Sequence, residues 1–135
     1  MSKWAQLIVK PATDVPLVDC QVVVTSVHRI LDGATEEMIE QAPVFCIWSH
    51  TSEGTSSNIA PEISHYANLF SINDGDNRVG IRLHPVRTRL NAQIQTPGKY
   101  RINVSATAKD VPTKSKSYIF SWGGNFNEFS LTELN

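Results

Sequence analysis

Long apolar runs are missing from this chain, and with them the simplest route into a membrane. The opening MSKWAQLIVKPATDV places one lysine before a short apolar run that breaks at Lys10 and Pro11, so neither a signal-peptide core nor a membrane span is expected there. Cysteine is scarce as well. Cys20 and Cys46 fit neither a zinc spacing nor the disulfide framework of a small secreted scaffold, and both sit in strand-like runs, VDCQVVV and VFCIWS, where a buried, reduced thiol is the expectation. Charge of one sign is not in excess: 12 Lys and Arg stand against 13 Asp and Glu, for a formal net charge of -1. That removes bulk attraction for nucleic acid or an anionic membrane, so any charged function has to be local. Internal repeats and low-complexity linkers are also absent. So are a Gly-x-Ser-x-Gly elbow and a phosphate-cradling loop, since SWGGNF has no Lys-Ser/Thr and opens no helix.

What remains is a chain of short units separated by turn signals. At 135 residues, with 41% hydrophobic and 19% charged residues, it suits one domain spanning 1–135 with its own core. WAQLIVK (4–10) reads as a first strand and LVDCQVVVTSVHRI (17–30) as a longer one, with Val18, Cys20, Val22 and Val24 on one face. DGATEEMIEQA (32–42) predicts a short helix from Thr35, with Glu36 and Glu37 in its first turn. PVFCIWS (43–49) is a strand, HTSEGTSSN a loop, and IAPEISHYANLFSI a strand, a Pro-Glu turn and another strand. NDGDN (73–77) turns the chain into RVGIRLH, which VRTRLNAQI (86–94) extends less regularly beyond Pro85. PGKYRINVSATAK alternates strictly, with Tyr100, Ile102 and Val104 on one face; it pairs with KSYIFSW through the polar DVPT connection. GGN (123–125) bends the chain before a last FNEFSLTEL. Seven to nine strands and at most one short helix predict an all-β, immunoglobulin-like antiparallel β-sandwich. The Gly-x-Tyr at 98–100 matches a tyrosine corner, while Ile102 stands where an antibody-type domain would place its second cysteine.

The ordered set PLVDC, IWS, NIAPE, PGKYRINVSA, KSYIFSW and GGN resembles a widespread, uncharacterised bacterial module of immunoglobulin-like type, over about Trp4 to Leu134. The resemblance implies the fold and carries over no activity and no site residue. Because such modules often follow membrane-spanning helices, it also implies that this chain is cytoplasmic, as the soluble part of a membrane-tethered parent or on its own.

The candidate chemistries are few. His28, His50, His65 and His84, with Glu53 and Glu62, offer metal-ligating atoms, but Glu62-x-x-His65 needs a helix that Pro61 disfavours; surface or strand-end histidines and no bound metal are expected. Asn73, Asp74 and Asp76 could hold calcium, yet Val79 and Pro85 stand where an EF-hand loop needs Gly and Glu, which leaves an Asp-Gly turn with Gly75 at positive φ. Cys20 and His28 lie about 26 Å apart along one strand, too far to act together. Tyr118, Phe120 and Trp122 share a face and read as core, and Trp48 with them, while Trp4 is expected to be partly exposed. A cationic stripe is left: Arg78, Arg82, His84, Arg87 and Arg89 fall within twelve residues without an acid, opposite Val79, Ile81 and Leu83. The acidic run Asp32, Glu36, Glu37 and Glu40 is available to pair with it inside the fold.

These observations predict a non-catalytic interaction or accessory module without cofactor. Its partner is a protein with acidic character, not nucleic acid, with no insertion into a membrane by this chain, and the arginine stripe is the contact surface. A small-ligand or glycan-binding domain using exposed aromatics is the alternative, and a metal-dependent hydrolase the third reading.

Overall fold

The computed structural model of the chain describes residues 2–33, 35–41, 43–50 and 54–134. Among these residues lie eleven strands and one short helix. In order they are β1 (Ser2–Val9), β2 (Leu17–Ile30), β3 (Glu36–Glu40), β4 (Val44–Trp48), β5 (Ser57–Ile59), β6 (His65–Asn73), β7 (Gly80–Ile81), β8 (Leu83–His84), α1 (Thr88–Gln93), β9 (Gly98–Ala108), β10 (Val111–Trp122) and β11 (Phe129–Leu134). The domain is all-β. Its strands join edge to edge in the order β1-β6-β4-β2-β9-β10-β11, and the short β3 and β5 pair with β2, β7 with β6 and β8 with β4. Eleven strands exceed the seven to nine expected because 36–40 is a strand and not a helix, and because RVGIRLH is divided at Arg82 into β7, paired with β6, and β8, paired with β4.

The sheet curls into a nearly closed, barrel-like form. Its end strands β1 and β11 come together, and the Lys3 ammonium lies 4.7 Å over the Phe126 ring across that seam. Strand β2 is the hub: it pairs with β9 from Gln21 to Ile30, and its other edge meets β5, β4 and β3 in turn. All these pairs are antiparallel, and of β2's partners only β3 follows it directly in the chain.

The core follows the strand period where the ladder is regular. Tyr100, Ile102 and Val104 of β9 are buried, as are Cys20, Val22 and Val24 of β2. The ladder slips between Val24 and Ser26, which shifts the phase so that Val27, not Ser26, turns inward. A second irregularity, with Asp19 at φ 51, leaves Val18 exposed rather than on the face of Cys20. Phe70, Phe120, Tyr100 and Phe129 form a run of ring contacts through the interior, with centroids 4.7 to 6.2 Å apart. Trp48 and Trp122 are buried as predicted, and Cys20 and Cys46 are buried free thiols.

Two segments depart from their sequence reading. The helix predicted from Thr35 is strand β3, registered on β2 from His28↔Met38 to Ile30↔Glu36. Only Ile39 of this segment reaches the core, too small an apolar face to hold a helix, whereas the free edge of β2 satisfies the backbone. Conversely, 88–93 is helix α1 and not an extended strand: Leu90 and Ile94, four residues apart, are both buried on one face. The β9–β10 connection is also shorter than DVPT, because β10 already starts at Val111 and Asp110 turns with φ 58. Gly75 and Gly124, at φ 89 and 96, supply the left-handed backbone of the NDGDN turn and the GGN bend.

Candidate functional site

The cationic residues do not lie on one strand edge. Arg78 follows the β6–β7 turn, Arg82 links β7 to β8, His84 ends β8, Arg87 precedes α1 and Arg89 lies on it. Alternation up to His84 is as expected, with Val79 and Leu83 buried and Arg78, Arg82 and His84 exposed. Past Pro85 the chain bends away, and Arg87 is half-buried with its Nε shielded from solvent.

Arg82 is the organised member of this group. Registered pairing sets Trp4 opposite Ser71 and Ser71 opposite Gly80, so the Arg82 side chain, two residues beyond Gly80, reaches Trp4 across Ser71. The Arg82 guanidinium lies 5.2 Å over the Trp4 indole, and its Nε donates to Ser71 Oγ at 2.9 Å. A Cβ on Gly80 would come within 3.3 Å of Ser71 Oγ, so the missing side chain keeps this approach open. Trp4 is 45% exposed, giving a flat aromatic and a fixed cation side by side at the surface. Of the acidic run, Glu36 is engaged elsewhere, paired with Arg101 of β9 at 2.5 Å and 3.9 Å from His28.

A second feature lies where the end of β1 and the start of β2 meet the β9–β10 hairpin. Leu7, Val9, Leu17, Val22, Ala106 and Tyr118 line a cavity of about 270 Å³ there, with Lys10, Lys114 and Lys116 also on its wall. Lys116 is held by Glu133 at 2.7 Å. Burial pushes the Cys20 thiol on this wall upward, so it is a proton-bearing, unreactive group at neutral pH. The cavity therefore offers an apolar lining and a cationic rim, a setting for a small amphipathic molecule at the end of a barrel-like sheet.

The histidines separate. His28 faces Glu36 and His84 is exposed on β8, but His50 and His65 come together with their Nδ1 atoms 3.2 Å apart. His50 Nε2 lies 2.8 Å from Ser57 Oγ. Glu62 sits in the exposed turn before β6, so Glu62-x-x-His65 is not helical, and Glu53 lies outside the described residues. Among the described residues no group of three or more His, Cys, Asp or Glu converges on one point. The sequence could not pair His50 with His65, because a fifteen-residue separation across a loop has no period. The same holds for Arg82 over Trp4, which depends on the register of three strands.

No protein-family model, curated protein or solved structure matches the chain.

Proposed function

We propose that this domain is a non-catalytic interaction module, cytoplasmic and part of a larger assembly or membrane-tethered parent, which takes an acidic protein partner on the surface around Arg82 and Trp4. The carrying observation is the guanidinium fixed between the Trp4 ring and Ser71 Oγ. Arg and Trp are the residue types that anchor interfaces, and a side chain already held in place loses less freedom on binding. Arg78 and Arg89 add long-range attraction for an acidic surface, which speeds encounter and weakens with salt. Arg87 contributes less as a contact, because it is half-buried. The finer assignment of the fold as immunoglobulin-like belongs to the same proposal; it rests on the Gly-x-Tyr corner, whose Tyr100 hydroxyl reaches upstream carbonyls, and on Cys20 and Trp48 in the core.

Partner capture from the host, comparing the parent with Arg78→Glu/Arg82→Glu, tests the reading. Capture by the parent should fall between about 0.1 and 1 M salt, as the Debye length shrinks from about 10 to about 3 Å. The double variant should lose capture while staying folded, its stability falling by about 1–3 kcal/mol for the lost Trp4 contact and the Ser71 hydrogen bond. Undiminished capture by the folded variant removes this surface from the proposal. The cavity between β1, β2, β9 and β10 favours a second reading, a receptor for a small amphipathic ligand.

A further inference from the structure

We propose that His50 and His65 form a site for a late first-row divalent metal ion, Zn²⁺ or Cu²⁺, chelated by their two Nδ1 atoms. Two imidazole nitrogens bound to one tetrahedral Zn²⁺ at about 2.0–2.1 Å lie about 3.3–3.4 Å from each other. The Nδ1 atoms are 3.2 Å apart, within a few tenths of an ångström of that bite. The rings meet edge to face, with centroids 4.6 Å apart and planes at 76°, so they do not stack.

The surroundings prepare His50. Ser57 Oγ donates to Asn58 C=O and lies 2.8 Å from His50 Nε2, so it can accept the Nε2–H and leave Nδ1 with a free lone pair, the outer contact that ligating histidines use; His65 Nε2, by contrast, is buried without a hydrogen-bond partner. His65 opens β6, while His50 follows β4 by two residues, and Ser49 N–H donates to Tyr66 C=O at 2.9 Å between them. That bond and the Trp48↔Ala67 pair fix the two ring-bearing segments against each other. His50 is exposed, so water can fill the remaining coordination positions. Imidazole donors select Zn²⁺ or Cu²⁺ over Mg²⁺ and Ca²⁺, which demand oxygen.

Titration calorimetry of the purified chain with Zn²⁺, Cu²⁺ and Mg²⁺ at neutral pH tests the site. One equivalent of Zn²⁺ or Cu²⁺ and no Mg²⁺ should bind, and Cu²⁺ should quench emission from Trp48, whose ring centroid is 6.0 Å from that of His50. His50→Ala and His65→Ala should abolish binding, His84→Ala should leave it intact, and Ser57→Ala should weaken it roughly tenfold. Binding should weaken as pH is lowered, because protons compete with the metal for the imidazole nitrogens. Because His50 is exposed, His50→Ala keeps the test decisive even where His65→Ala unfolds. Absence of binding by the folded parent, or equal affinity in folded His50→Ala, overturns the site and leaves the pair as a hydrogen bond alone.

Discussion

Tyr100 is the residue on which local and distant structure meet. Its hydroxyl is placed to donate to the carbonyl oxygens of Gln93, at 3.0 Å, and Thr96. Arg29 donates to the same Gln93 carbonyl at 2.9 Å and lies over the Tyr100 ring, and Trp122 Nε1 donates to Ile94 C=O at 3.0 Å. Three side chains from the sheet thus reach the carbonyls at the end of α1, where Gln93 C=O also accepts from Thr96 N–H at 3.2 Å. Tyr100→Phe keeps the ring and leaves Gln93 C=O with Arg29, so it should cost about 1 kcal/mol, the worth of one hydrogen bond. Tyr100→Ala empties a fully buried site and should cost about 3–5 kcal/mol, both read from urea unfolding. Equal midpoints for parent and Tyr100→Ala would remove the corner. The cysteines allow a simpler check at this scale. Burial raises the pKa of both thiols, so a thiol reagent at neutral pH should find neither in the folded chain and both after denaturation without reductant.

Among elements, the sharpest contrast is between 36–40 and 88–93, whose identities exchange relative to their local signals. Glu36, Glu37 and Met38 favour a helix by propensity, yet β3 gains backbone partners along β2 and buries Ile39. The 88–93 segment instead buries Leu90 and Ile94 by coiling. Leu90→Ala should therefore destabilise by about 2–5 kcal/mol. Met38→Ala, at a 43% exposed position, should change stability by no more than about 0.5 kcal/mol. Comparable losses for the two, read from paired denaturation curves, would contradict the assignment of both elements. The long strands were legible because PGKYRINVSATA and KSYIFSW alternate over many residues, and so were the Gly75 turn and the exposure of Trp4. Short strands, bulges and the choice between helix and edge strand depend on which neighbours stand free after folding. The site residues follow the same division: the exposed face of Arg78, Arg82 and His84 could be read from alternation, whereas the Trp4–Arg82 and His50–His65 contacts need the register of paired strands.

For the whole molecule, the curl of the sheet decides where space is left. Closing β1 towards β11 brings Phe70, Phe120 and Phe129 into one packed interior, while the opposite ends of β1, β2, β9 and β10 flare around the cavity of about 270 Å³. Space on that scale approaches the lower limit of small-molecule pockets, about 300 Å³. Val22, which is buried on β2 and lines the cavity, separates a receptor from a gap of no consequence. In a fully packed interior, Val22→Phe would force its neighbours apart at a cost of about 1–3 kcal/mol. With the cavity present, the added ring enters existing space, and the unfolding midpoint should hold or rise. The same substitution should abolish binding of an apolar anionic dye, the probe matched to an apolar lining and the Lys10 and Lys114 rim, while capture through Arg82 stays at the parental level. A loss of stability in the overpacking range would mean that the cavity is closed in solution, and dye binding that survives in a stable variant would place the dye elsewhere; either result ends the receptor reading and leaves the Arg82 surface as the functional face.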